Sequence, residues 1–284
     1  MCKLSVKTNI GILLYNGDQS EFVRLIKSII TCQRRCADSD IELHLMITLK
    51  WNSEPTFSVE AIMRQHKCEF TILSGTSNDG FGAAHNKMMK LGFDNGADCY
   101  LCLNPDGFLE PEALVSLTRF YQNLGKPALI EALQFPREHP KPYNPFTGET
   151  HWCSGACLYI SKDIFDKIGG FDENIFMYCE DIDLSWRVRD CGLQCYVCSA
   201  ALFYHNVREN KSALISQMML ESGRYLAYKW CAKGFQDEME RLLVERNYYP
   251  AIEYIPPVQE TKRIESKTGL QEWRQLLSFS LPRW

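Results

Sequence analysis

Residues 99–114 read CYLCLNPDGFLEPEAL. An apolar, strand-like run at 99–103 halts at Asn104-Pro105-Asp106, and Pro111 follows where proline is tolerated, in the first turn of a helix expected to reach about Asn123. A strand followed at once by a helix is the repeating unit of a parallel sheet with crossover helices. In open sheets of that kind ligands bind outside the carboxyl ends of the strands, which puts Asp106 at the crevice, where a carboxylate suits a metal ion. An aspartate that merely closes a turn is the other reading of the same residue.

The same alternation extends in both directions. Upstream, an apolar run at 9–15 ends in Asn16-Gly17-Asp18, and Phe22, Leu25, Ile26, Ile29 and Ile30 then recur at helical spacing. Further strand-like runs occupy 41–49 and 69–73, and a helix is expected at 83–91. Downstream, residues 128–133 read as a strand, and 136–148 (PREHPKPYNPFTG) as a loop whose length and proline content suggest that it covers a site. An apolar stretch at 155–160, a short helix from Lys162, a helix at about 181–190 and a strand at 194–198 complete an α/β domain spanning residues 1–210. Residues 211–284 change character: 212–233 and 236–246 have helical period and form a helical C-terminal extension.

With 31 Lys and Arg against 35 Asp and Glu, the net charge of −4 gives no broad attraction to nucleic acid, so no nucleic-acid partner is expected. The 13 cysteines are an odd count in a chain too large to need stapling, and no apolar run at the N-terminus resembles a signal peptide, so free thiols in the cytoplasm are expected. Cys99-x-x-Cys102 and Cys195-x-x-Cys198 have a zinc-like spacing, but strand alternation sends the two sulfurs of each pair to opposite faces. No run reaches the roughly 18 to 20 apolar residues of a membrane span.

Three other constellations could carry chemistry. Residues 171–187 (FDENIFMYCEDIDLSWR) set five acids among large apolar groups, so the cluster must be partly enclosed; one acid can cap the helix while its neighbour projects into the cleft. Residues 77–86 (SNDGFGAAHN) offer glycines and a helix start to an anion or hydroxyl. His205, after a strand-like run, is either structural or a metal ligand.

Taken in order, ILLYN, NDGFGAAHN, LCLNPDGFLEPEAL, the block from SGACLYISKDIF to EDIDLSWRVRDCG, and the histidine of YHN resemble the family 2 glycosyltransferases of the GT-A fold. Within that family the chain is most similar to bacterial rhamnosyltransferase-type enzymes that build O-antigen, capsule or cell-wall polysaccharide. The resemblance covers about residues 9–205 and implies a Rossmann-like, mostly parallel sheet flanked by helices. It also implies an inverting transfer of sugar from a nucleotide-diphosphate donor, dTDP-rhamnose first, to an oligosaccharide acceptor that can be lipid-linked. A UDP-hexose or galactofuranose donor, or a non-catalytic carbohydrate-binding protein, are the alternatives.

By matching positions, the resemblance assigns Asp181 as catalytic base. It assigns Asp106 and His205 to a Mg²⁺ or Mn²⁺ ion, and Tyr15, Asn16, Asn78, Gly82, Asn86, Asn104 and Asp106 to the donor. Trp152, Gly155, Ala156 and Glu180 fall on the acceptor side, with core packing as the other reading of Trp152.

Three departures stand out. Lys50-Trp51-Asn52-Ser53 lies where relatives carry a base-reading aspartate, Asn104 replaces the first carboxylate of the metal motif, and Asp79 would repel a diphosphate unless it faces away or binds the metal. A nucleotidyltransferase on a similar scaffold is a further rival, although ILLYNGDQSEF lacks the glycine-rich basic signature that such enzymes place after the first strand. The terminal QEWRQLLSFSLPRW, residues 271–284, mixes aromatics and arginines, which suits peripheral contact with the inner face of a membrane, dimerisation, or packing on the domain.

Overall fold

The computed structural model describes residues 4–138, 141–206 and 212–265. Among the described residues nine strands, β1 (Leu4–Leu14), β2 (Ile41–Trp51), β3 (Thr71–Leu73), β4 (Cys99–Leu103), β5 (Gly107–Leu109), β6 (Ala128–Phe135), β7 (Glu149–Thr150), β8 (Cys157–Ser161) and β9 (Gln194–His205), form one sheet. Its order is β3-β2-β1-β4-β8-β6-β9-β5, with β7 also on β9. Strands β1 to β4, β6 and β9 share one direction, while β8 runs antiparallel between β4 and β6. The carboxyl ends of the parallel strands and the entry to β8 therefore meet at one edge of the sheet.

Helices α1 (Gln19–Ala37), α2 (Val59–Gln65) and α4 (Ala113–Leu124) cover one face. Helices α3 (Phe81–Asp94), α5 (Lys162–Ile168) and α6 (Glu180–Asp190) cover the other. Each buries the stripe that its periodicity announces: α1 sinks Phe22, Leu25, Ile26 and Ile29, and Asp18 caps it by accepting from the Ser20 and Glu21 amides. Cys99 and Cys102 lie in the cores on opposite faces, as strand alternation requires, and the described cysteines are free.

Several boundaries differ from the sequence reading. Pro111 lies in the turn closed by Ala113 N donating to Glu110 O, ahead of α4. β9 continues past Cys198 because the β6–β9 ladder slips: Ala132 pairs with Cys198, but Leu133 pairs with Leu202. The extra residues on β9 break the ladder and carry the strand on to His205, beside the carboxyl end of β6.

After α6 and β9, helices α7 (Ala213–Lys229) and α8 (Lys233–Glu245) form a hairpin that packs back on α6, with Trp186 and Trp230 edge to face at 5.7 Å. Asp183, with no exposed surface, accepts from Arg187 Nε at 2.7 Å and Trp230 Nε1 at 3.0 Å and lies 2.7 Å from Lys229 Nζ. Lys229 also donates to Asp172 at 2.7 Å. The extension is thus docked through buried charge. Residues 271–284 lie outside the described residues, and among the described residues no helix is long and apolar enough to cross a membrane.

One close approach fixes the centre of the sheet. Gly11 on β1 faces the fully buried Tyr100, and a Cβ at position 11 would lie 1.7 Å from the phenol oxygen. Tyr100 cannot retreat, because its hydroxyl is bonded to His85 Nδ1 at 2.6 Å. Gly11→Ala is expected to cost about 1–3 kcal/mol, the usual range for overpacking, read as a lower midpoint in urea unfolding.

Candidate active site

Asp106 stands just beyond the end of β4, and His205 ends β9. His205 Nδ1 lies 2.9 Å from Gln134 Oε1, an oxygen that only accepts, so this nitrogen carries a proton and the neutral ring presents a bare Nε2. That nitrogen is 3.3 Å from Asp106 Oδ1, a buried oxygen with no hydrogen-bond partner among the described residues. Two acceptors facing each other leave room for a cation between them. One carboxylate and one imidazole suit a divalent ion that draws its other ligands from phosphate and water. Among the described residues no group of three His, Cys, Asp or Glu side chains is arranged for a metal.

The acidic cluster opens α6. Tyr178 and Cys179 precede it at φ 69° and 67°, left-handed conformations that cost L-residues about 1–2 kcal/mol each. The kink sets Glu180 and Asp181 in the first turn, where the helix dipole favours negative charge. Asp181 Oδ2 accepts from Gly155 N at 2.9 Å and Oδ1 from its own Ile182 N at 2.8 Å. The residue keeps some exposed surface, but protein encloses it elsewhere, and this desolvation holds its carboxyl above the usual range. Burial raises Glu180 further, and its Oε2 has no hydrogen-bond partner among the described residues.

Gly155 and Ala156 join the two halves. Gly155 N holds Asp181, and the next residue's carbonyl, Ala156 O, accepts from Asn104 N at 2.9 Å, which pins the Asn104-Pro105-Asp106 loop. Behind them Cys102 Sγ donates to Gly155 O at 3.1 Å and lies 3.4 Å from Nε2 of the buried His85. Ser185 adds a further tie, accepting from Cys153 N and donating to Asp181 O.

The donor-side loop is held by a residue that sequence reasoning did not single out for a role. Lys50, 2% exposed, donates to Trp51 O, Asn52 Oδ1 and Ser77 O and lies 3.0 Å from Asp79 Oδ2. Asp79 also binds Lys87 at 2.7 Å. Lys87 first, and then Lys50, hold its carboxyl well below the usual range, so its charge is matched by two cations instead of facing a donor alone. Asn52 Nδ2 donates to Asn78 Oδ1 and Gly80 O, and Gly80, at φ 82°, leaves no room for a Cβ against Phe176 O. Asn16 N donates to Ser53 Oγ at 2.9 Å, and Tyr15 beside it is 56% exposed.

The structure moves several residues from ligand contact to scaffold. Trp152 is 6% exposed, and the Lys141 ammonium lies 4.5 Å from the centre of its ring, so it offers no open platform to a sugar. Gly82 packs inside the first turn of α3, where a Cβ would meet Phe171 at 2.7 Å. Asn86 brackets the backbone of Phe171, donating to its carbonyl at 2.9 Å and accepting from its amide at 2.7 Å. The backbone groups of Gly155 and Ala156 are engaged as described, so these residues shape the site without being free to bind an acceptor through their main chain. Apart from Lys50, the reading did not single out Glu131, Gln134 and Lys141. Glu131 interrupts the apolar run ALIEALQF, a pattern that demands a buried partner, whereas nothing in the sequence marks Lys141 as that partner.

A Rossmann-like sheet with β8 reversed at its centre, a carboxylate–histidine pair at strand ends and an acidic helix start define the GT-A glycosyltransferase architecture. The chain matches the structure of GalNAc-T7 with UDP, GalNAc and Mn²⁺ at TM-score 0.64 and 11% identity, covering 97% of this chain and 55% of that one. In sequence it is 47% identical over 55 residues to the N-acetylglucosaminyl-diphospho-decaprenol L-rhamnosyltransferase of Mycobacterium tuberculosis, 19% of this chain and 18% of that protein. It is 30% identical over 101 residues to the rhamnosyltransferase WbbL of Escherichia coli, 34% of each. The chain therefore has the GT-A fold and resembles rhamnosyltransferase-type family 2 glycosyltransferases. It spans about half or less of the length of the curated relatives it matches. No family model matches the chain.

Burial pushes His85 down to about 3, so it stays neutral in the fold, whereas in the unfolded chain it takes up a proton near pH 6.5. Below that value the unfolded state binds the extra proton, so this contribution to stability is intact above about pH 6.5 and is lost as pH falls toward about 3. Across that window the unfolding free energy of the wild type should fall more steeply than that of His85→Gln, by about 1.4 kcal/mol per pH unit, in denaturant titrations at stepped pH.

Proposed function

We propose that the chain is an inverting glycosyltransferase that moves a sugar from a nucleotide-diphosphate donor to a saccharide acceptor in the synthesis of a surface polysaccharide. The observation that carries this reading is the double tie at Gly155-Ala156, which holds Asp181 and the Asp106 loop to one short segment at the ligand edge. In the proposed step the acceptor oxygen attacks the anomeric carbon opposite the diphosphate. The new C–O bond forms as the bond to the leaving phosphate breaks, and Asp181 takes the hydroxyl proton. Its raised pKa brings the carboxylate closer to neutral pH, where a general base contributes about 10² to 10⁴ in rate. Asp106 Oδ1 and His205 Nε2 are the residues that would hold a divalent cation, Mg²⁺ or Mn²⁺. Such an ion supplies charge neutralisation at the departing diphosphate.

For the donor we propose dTDP-rhamnose, on the likeness to the two rhamnosyltransferases. The printed name of the mycobacterial relative includes a lipid-linked N-acetylglucosaminyl diphosphate, which supports a lipid-linked saccharide acceptor here. An enzyme using such an acceptor would work at the inner face of the membrane.

Nucleoside diphosphate release from dTDP-rhamnose, UDP-galactose and UDP-galactofuranose, with and without Mg²⁺ or Mn²⁺ and with an N-acetylglucosaminide as acceptor, tests donor and metal together. Asp181→Asn should lose about 10²-fold or more of transfer while still binding donor, and Asp106→Ala should lose the metal-dependent thermal shift. Wild-type rates in Asp181→Asn would remove its assignment as base. Pyrophosphate release from a nucleoside triphosphate would favour nucleotidyl transfer instead.

A further inference from the structure

Glu131 and Lys141 form an ion pair, 3% and 2% exposed, beneath the segment that holds the proposed base. Glu131 lies in the middle of β6, and Lys141 is delivered by the long proline-rich loop. Glu131 Oε2 accepts from both Lys141 Nζ and Ser154 N. Lys141 Nζ donates in addition to Trp152 O at 2.5 Å and lies over the ring of the same tryptophan. Residues 152–155 are therefore gripped from below at Trp152 O and Ser154 N, and from the side by Ser185 at Cys153 N. The next amide in that segment, Gly155 N, is the one that binds Asp181 Oδ2.

We propose that Lys141 is a positioning residue for Asp181: locked on Glu131 and on Trp152 O, it fixes the 152–155 segment whose Gly155 amide orients the base. The proposal rests on the transferase reading for its consequence in catalysis, but the placement itself can be measured without substrate. A buried ion pair is a costly way to brace a loop, and a hydrophobic pair often serves as well for stability alone. Its charge reaches the base. The Lys141 ammonium favours the ionised form of Asp181, opposing the burial that raises it. The other groups facing Asp181 are Glu180 and Cys179 at the helix start, Cys102 from β4, and Glu131 itself. Each of these is an acid or a thiol, whereas Lys141 is a cation.

The test follows the carboxyl ¹³C resonance of Asp181 in the full chain labelled at aspartate, assigned by its absence in Asp181→Asn. Lys141→Met should move its titration to higher pH. Glu131→Gln keeps an acceptor for Ser154 and Lys141 but removes the opposing charge, and should move it lower. Should Lys141→Met strand Glu131 and fail to fold, the double variant Glu131→Gln/Lys141→Met removes both charges and should still move the titration up. A titration that stays in place in both Lys141→Met and the double variant overturns the proposal.

With dTDP-rhamnose, Mg²⁺ and the N-acetylglucosaminide, Lys141→Met should lower kcat about 10²-fold and leave donor Kd within about twofold. Equal losses in donor binding and kcat would overturn the positioning role. If the wild type turns over no donor yet the resonance moves as stated, the transferase reading falls and the positioning role stands. If transfer is present and the resonance does not move, the reverse holds.

Discussion

A carboxylate taken out of water must be met by a cation or by donors placed for it, and this requirement organises the molecule beyond its sheet. Glu131 and Asp183 are buried, and Asp181 is largely enclosed. The partners come from distant parts of the chain: Lys141 from the loop after β6, Lys229 from α7, Arg187 from within α6, and the Gly155 amide from the entry to β8. Removing one partner of such a pair typically costs about 3–5 kcal/mol, because the remaining charge stays buried. The loop and the C-terminal hairpin are therefore part of the electrostatic closure of the site, although neither belongs to the alternating α/β core.

The donor side follows the same logic. Lys50 and Asp79, read separately, are two departures from the family pattern, one removing an expected carboxylate and the other adding a charge next to the phosphates. In the structure they are one interaction, 3.0 Å long, that ties the end of β2 to the loop before α3. Lys50 meets four oxygens at once, which leaves it no free donor for a ligand and makes it a fixed corner of the crevice.

Much of the fold was legible in the sequence, because alternation of apolar runs with helical stripes is a local signal. The strand halted at Asn104-Pro105-Asp106, the acids at Glu180-Asp181 and the histidine that ends β9 all fall at the edge of the sheet where the parallel strands end. What escaped was non-local or directional. The extra residues of β9 between Cys198 and Leu202 look like ordinary strand, yet their bulge is what aims His205. Matching positions also gave places without directions: Asn86 turns to the backbone of Phe171, and Trp152 lies under Lys141 with no open face. Lys141 itself sits in a proline-rich loop where no periodicity marks a buried side chain, and only the charge of Glu131 inside an apolar strand hints that a partner must exist.

The docking of α7 and α8 bears on where the protein can be divided. In sequence the chain changes character near residue 211, which invites a minimal domain ending there. Such a fragment would keep Asp172 and Asp183 and lose Lys229, Tyr225 and Trp230, leaving Asp183 its tie to Arg187 alone among these partners. Those carboxylates flank and occupy the helix that carries Asp181. Modularity drawn on the sequence is thus not modularity in free energy: the unit that holds the proposed base extends at least to Trp230, and a boundary drawn at the last sheet strand leaves out part of what keeps that helix in place.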